Sequence, residues 1–265
     1  MTTAGFHVRC DDPQVRSALG AWLDGLRIDA PPGLALEVAV TDDVLPELAE
    51  TVFEQPTVRF ARGPNERGIR LAWEEAPAWA EVSAESRTAW VKLSAAAVER
   101  LESCTRVFLM AVLVVLLRRA GWHHVHAATA IDPNGRGWLV AGNAHAGKST
   151  TAALLAAWGW QVGTDDAAFL ERQGDGVLVH TCRAPIALRD GGRRLLARAG
   201  GVVLPARGKV GYWPEDLGGD WTPLVVPAIV IFTSVGAGWT VAEPLDRRSA
   251  LAELVRWSAW VMLEP

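Results

Sequence analysis

Apolar and polar residues alternate through residues 6–9, 36–40, 57–61, 69–73, 79–82 and 89–93, a pattern that predicts short strands. Turn residues such as Gly63-Pro64-Asn65 separate several of them. Between the first two, Val15, Leu19, Trp22, Leu23 and Leu26 recur at helical spacing and predict an amphipathic helix. Ser94 is placed to cap a second, long helix that runs to about Arg119 and closes at Gly121. From Val107 to Leu117 the chain is apolar on every side, so this part of the helix is expected in the interior, covered on both sides. The run is too short to span a bilayer.

From Trp122 the texture changes. Residues 124–131 and 137–141 read as strands joined by Asp132-Pro133-Asn134-Gly135, which is strong turn chemistry. A helical run over 149–158 is broken by Gly159, and 160–164 leads as a strand into Asp165-Asp166. A hairpin is expected at 167–171 and 177–181, turning at Gly174-Asp175-Gly176. Residues 183–222 read as loop-rich, with Gly191-Gly192, Gly200-Gly201 and Gly218-Gly219. A buried strand is expected at 228–232 and another at 239–241. Leu251, Leu254, Val255, Trp257, Val261 and Met262 mark a closing amphipathic helix. There is no internal repeat. These patterns place a domain boundary near residue 120, giving an N-terminal α+β domain (1–120) and a second domain (121–265).

Composition removes several function classes. Half of the residues are hydrophobic and 21% are charged, which is ordinary globular usage. A net charge of −4 and a pI near 5.9 give no electrostatic footprint for nucleic acid. Cys10, Cys104 and Cys182 are distant and odd in number, so no disulfide framework is implied. The N-terminal residues lack an apolar signal core, and the expectation is a cytoplasmic protein without a membrane partner. Thirteen tryptophans follow no period and are expected to serve packing rather than an aromatic binding platform.

The densest chemistry lies in Gly142-Asn143-Ala144-His145-Ala146-Gly147-Lys148-Ser149-Thr150. It contains the phosphate-binding pattern G-x-x-x-x-G-K-S between a strand-like run and a helical run. Glycines let backbone N–H groups wrap phosphate oxygens, and the new helix points its positive end at them. Lys148 is then expected to neutralise the β- and γ-phosphates, and the Ser149 hydroxyl to ligate magnesium. Asp165-Asp166 follow the next strand, where an acidic magnesium partner is expected. Two carboxylates allow a division of labour, one toward the metal and one as proton acceptor. His124 and His126 share one strand face, but no fourth ligand completes a zinc site with His123.

Taken together, His126-Ala-Ala-Thr-Ala-Ile-Asp132, the 142–150 loop and Gly159-Trp160-x4-Asp165-Asp166 resemble the HPr serine kinase/phosphorylase family. The resemblance covers residues 122–170. It implies an α/β (α+β) fold with a P-loop kinase core of the HPr kinase and phosphoenolpyruvate carboxykinase type. It also implies ATP and Mg²⁺ as cofactors. Carried across, Lys148 would bind the β/γ-phosphates, and Ser149 and Asp166 would hold magnesium. Asp165 would be the base that activates the acceptor hydroxyl, with His126 tuning it. A cation should meet charge developing on the transferred group; Arg183 and Lys209 are the candidates by position. Arg193, Arg194 and Arg198 are expected on an exposed helix face or gripping an acidic acceptor.

The chain departs from the family in having Ala144-His145 where the loop usually reads Ser-Gly, and in lacking its long Gly/Arg-rich C-terminal signature. Its size looks more like the shortened relatives that phosphorylate precursor peptides in lasso peptide pathways. The expectation is therefore a serine-type kinase acting on a peptide or small protein, with homo-oligomerisation left open. A nucleotide-sensing module without transfer chemistry and a partner-coupled NTPase are the alternatives.

Overall fold

Asp12 starts the first helix: its carboxylate accepts from the Gln14 and Val15 N–H groups, and Pro13 supplies a preset first turn. The structure is a computed structural model. It describes residues 2–3, 5–43, 45–48, 50–55, 57–63, 68–196, 202–204, 208–236 and 241–258. The chain separates into two compact units, residues 1–122 and residues 123–261. The architecture is α+β, with several sheets and few helices.

The first unit holds strands β1 (Thr2–Thr3), β2 (Phe6–Cys10), β3 (Leu34–Val40), β4 (Thr51–Gln55), β5 (Val58–Arg62), β6 (Ile69–Trp73), β7 (Ala78–Val82) and β8 (Thr88–Leu93). They form one eight-stranded sheet in the order β1-β2-β3-β8-β7-β6-β5-β4. Helix α1 (Pro13–Leu26) is the crossover between the parallel neighbours β2 and β3, and it buries Val15, Leu19, Leu23 and Leu26. Strands β4 to β8 form an antiparallel meander, in which β4 was not anticipated from the pattern, and β8 joins β3 in parallel.

The expected long helix is interrupted. Ser94 caps α2 (Ala95–Glu99), and Arg100 leaves helical geometry at φ −108°, where its guanidinium donates to the Glu75 carbonyl. Helix α3 (Leu101–Cys104), a π-helical turn (Thr105–Leu109) and α4 (Met110–Arg119) follow. Ala111 through Leu117 are all buried, as an all-round apolar helix requires. Among the described residues no helix is long and apolar enough to cross a membrane.

The second unit is built on β9 (Trp122–Ile131) and β10 (Gly137–Gly142), an antiparallel pair. Helix α5 (Lys148–Ala157) and strand β11 (Gln161–Thr164) come next, with β11 pairing on β9. The hairpin β12 (Ala167–Gln173) and β13 (Gly176–Thr181) extends the sheet from β9. Ala152, Ala153 and Ala156 of α5 pack on Ala128, Ala130 and Val140 on one face. On the other face Val125, Ala127, Leu139 and Ala141 meet Ala168 and Val179.

The described residues of 183–222 hold more regular structure than their glycine content implied. They contain β14 (Ile186–Leu188), α6 (Asp190–Leu195), β15 (Val202–Leu204), β16 (Lys209–Tyr212), α7 (Pro214–Leu217) and β17 (Asp220–Trp221). The first three strands here form a separate sheet in the order β14-β16-β15. Strands of three or four residues are too short to show an alternating pattern. Then come β18 (Leu224–Val225), β19 (Pro227–Thr233) and α8 (Arg247–Arg256).

The expectation of a buried strand at 228–232 is corrected. Strand β19 pairs in parallel with β10 as its one partner among the described residues, and Val230 and Ile231 are 44% and 37% exposed. An uncharged apolar run fits an edge strand as well as a central one, and pattern alone does not separate them. Pro64-Asn65, Arg198, Gly200-Gly201, Val261 and Met262 lie outside the described residues, as does most of the 239–241 strand.

Asp132 organises the β9–β10 turn. It accepts from the N–H groups of Asn134 and Arg136, from Arg136 Nε at 2.7 Å and from Trp138 Nε1 at 3.2 Å. Burial alone would raise its pKa, but those hydrogen bonds outweigh it and carry the carboxyl from 3.8 down to about 2. Its stabilisation is therefore present above the unfolded-state value and is lost as pH falls through about 2. Asp132→Asn should unfold at a lower temperature than the native protein at neutral pH. The gap should narrow between pH 4 and pH 2, as followed by thermal melts across that range.

Candidate active site

Strand β10 delivers the chain into the 142–149 loop, and α5 leaves it. Gly142 has φ 153°, and a Cβ there would lie 2.5 Å from the Thr233 carbonyl oxygen, so β19 can approach only a glycine. Gly147 (φ 89°) turns the chain into α5. Lys148 is the first residue of that helix and is 5% exposed. Its ammonium donates to the carbonyls of Gly142 and Asn143, both at 2.8 Å. Burial lowers its pKa, opposed by Asp166 and Asp165 and reinforced by Lys209. The Asn143 side chain accepts from the Ala144 N–H, which fixes the start of the loop.

Strand β11 delivers the carboxylates. The Thr164 hydroxyl oxygen accepts from the N–H groups of Asp166 and Ala167, a short turn that splays the two acids apart. Gly163 admits this packing, since a Cβ there would sit 2.5 Å from Thr129 Oγ1 and Thr181 Cγ2. Asp165 turns inward and is 6% exposed, accepting from the Ser149 hydroxyl and from the Ala187 N–H at 3.2 Å. Burial raises its pKa and the neighbouring Asp166 adds to this, while the hydrogen bonds and Lys209 pull it back. Asp166 turns outward and meets His126, with Nδ1 3.0 Å from Oδ1.

His126 is held by its own backbone. Its N–H donates to the Trp257 carbonyl just after α8, and the Ser258 hydroxyl donates to the His124 carbonyl. His124, with its ring edge-on to Phe169 at 5.5 Å, is a packed histidine whose pKa burial lowers to about 4.

These elements enclose a cavity of about 540 Å³, within the usual range for small-molecule sites. Its lining includes His126, Ala144, His145, Gly147, Lys148, Ser149, Thr150, Asp165, Asp166 and Lys209. Two departures from the expected site follow. His126 pairs with Asp166, not with Asp165. Arg183 does not line the cavity; its guanidinium is 2.7 Å from Glu215 and stacks over Trp213 and Trp221 at 4.9 and 5.4 Å.

In place of Arg183, Arg189 lines the cavity, immediately after β14, together with Ala187 and Leu188. The sequence signal was a charged residue closing a short apolar run, Ile186-Ala187-Leu188. Gly192 also contributes, because a Cβ there would be 2.8 Å from Thr150 Oγ1 and would push α6 away from α5. Arg193 and Arg194 are exposed on α6, and Arg193 engages Asp190 and Tyr212.

The position of Arg183 makes a structural role testable. Trp221, beneath its guanidinium, donates from Nε1 to the Gly163 carbonyl at 2.9 Å. Arg183→Ala should cost about 1–3 kcal/mol of stability by losing the cation–π and ion-pair contacts. Denaturant unfolding should register that loss.

No protein-family model matches the chain, and no curated protein matches its sequence. Among solved structures it is similar to the Hpr(Ser) kinase/phosphatase from Coxiella burnetii, with a TM-score of 0.30 and 18% identity, over 46% of this chain and 67% of that one. Likeness at that level assigns no activity, and the geometry of the cavity has to carry the functional reading.

Proposed function

We propose that the second unit is a P-loop kinase that transfers the γ-phosphoryl group of Mg·ATP to a serine-type hydroxyl on a peptide or small protein. One observation carries this reading. A loop of phosphate-binding pattern, a buried carboxylate bonded to the loop serine, and an outward carboxylate paired with a histidine all line one cavity.

The 142–149 loop and the N-terminus of the ten-residue helix α5 present backbone N–H groups and positive dipole to the phosphates. Lys148 needs only to release two carbonyls to reach them. Ser149 and Asp165 offer a hydroxyl and a carboxylate already in contact, and hard oxygen donors of this kind suit Mg²⁺. Held by Ser149 and Asp165, magnesium would supply positive charge against that developing on the transferred group.

The base role moves to Asp166. Asp165 is buried and its carboxylate is engaged by the Ser149 hydroxyl and the Ala187 N–H, which leaves Asp166 as the more accessible of the two to an incoming hydroxyl. Asp166 is half-exposed at the cavity wall, with His126 orienting its carboxylate. It accepts the hydroxyl proton as the new O–P bond forms and the bond between the γ-phosphorus and the bridging oxygen of ADP breaks. Arg189 and Lys209 face the same space and offset charge on the moving group.

Incubation with Mg·ATP and peptides encoded beside it, followed by mass spectrometry, tests the activity. A phosphoester on a serine or threonine supports the kinase. ATP hydrolysis that a partner stimulates without any phosphoester would point to an NTPase, and tight ATP binding with neither product to a sensing module.

A further inference from the structure

His145 is an outlier within the 142–149 loop. It holds φ 68°, a left-handed backbone that costs little for glycine and is uncommon for any residue with a Cβ. The other non-glycine residue with positive φ among those described is Arg27, and it has a local reason. Arg27 closes α1, with its N–H donating to the Asp24 carbonyl. His145 closes no helix. It is the third residue of the turn that the Ala146 N–H closes on the Asn143 carbonyl, where a positive φ ordinarily selects glycine, and α5 begins only at Lys148.

A glycine would take this backbone without penalty, so what the loop retains at 145 is the imidazole. His145 lines the same cavity as Lys148, Arg189 and Lys209, and it is exposed at the loop surface. Strained backbone kept at a ligand cavity is characteristic of a group held in place for binding. We propose that the His145 side chain is a phosphate-recognising group at the mouth of the cavity, donating an N–H to the polyphosphate chain of the bound nucleotide. This rests on the phosphoryl-transfer reading of the same cavity and extends it. The loop recognises phosphate by a side chain as well as by its backbone and by Lys148.

The test compares the full chain with its His145→Gly and Lys148→Ala variants. Thermal unfolding is measured without ligand, and calorimetric titrations use Mg·ATP and magnesium tripolyphosphate. His145→Gly relieves the backbone, so it should unfold at the same or a higher temperature than the native chain. It should nonetheless bind both ligands about tenfold more weakly, the loss expected for one hydrogen bond to a charged group. Equal or tighter binding of both ligands by His145→Gly would overturn the proposal, since a decorative ring costs nothing to remove. A loss confined to ATP would also overturn it, because the ring would then read the nucleoside. Lys148→Ala separates the two levels of the argument. If it weakens both ligands while His145→Gly does not, the His145 role alone fails. If Lys148→Ala binds both as the native chain does, the phosphate site is elsewhere and the kinase reading falls with it.

Discussion

Lys148→Ala is expected to lose nucleotide affinity and turnover together. The ammonium is buried and satisfied by two loop carbonyls, so it is pre-positioned at the loop mouth. Truncating one partner of a buried charge pair typically costs about 2–5 kcal/mol, roughly thirtyfold to several thousandfold in affinity. The fold should tolerate the change, because the carbonyls of Gly142 and Asn143 can turn to water at an open cavity. Titration calorimetry with Mg·ATP checks the affinity, and retained thermal stability separates lost binding from lost folding. Native affinity in a folded Lys148→Ala variant would remove the loop from the nucleotide site.

Asp166→Asn is expected to behave in the opposite way, keeping nucleotide binding and losing transfer. An amide is close in size, can still meet His126, and cannot take a proton from a hydroxyl. Positioned bases contribute roughly 10²–10⁴ in rate, so a loss of that order is expected in the chemical step. Asp165→Asn should differ in kind. It disturbs the contact with Ser149 and the buried anchor on Ala187, and the expected result is weaker Mg·ATP binding together with lower stability. The pair of variants therefore tells which aspartate faces the acceptor and which faces the metal.

How much of this was legible depends on how local each feature is. The 142–149 loop reads directly from sequence because strand, glycine turn and helix are contiguous, and each residue type has a mechanical reason to be there. The hairpin after Asp166 and most strands of the first unit, though not β1 or β4, were equally readable from alternation. The orientation of the two aspartates was not. Adjacent side chains diverge, and which one turns inward is set by the Thr164 turn and by Ala187, distant in sequence. Arg183 and Arg189 were indistinguishable by position along a glycine-rich stretch. Only the pairing of β14 with β16 sends Arg189 to the cavity and leaves Arg183 between Trp213 and Trp221. Strand β19 was misjudged because its apolar run reports β-propensity without reporting how many neighbours the strand has.

The His126–Asp166 pair is the part of the account on which the chemistry turns. It is assembled from three remote segments: β9, the end of β11, and the chain after α8, whose Trp257 carbonyl receives the His126 N–H. The most direct measurement is rapid-quench transfer from γ-labelled ATP to an acceptor peptide by Asp166→Asn and the native chain, with ATP affinity determined on the same preparations. The account predicts unchanged affinity and a transfer rate lowered by roughly 10²–10⁴ in the variant. Transfer at the native rate by a folded, ATP-binding Asp166→Asn protein would contradict it.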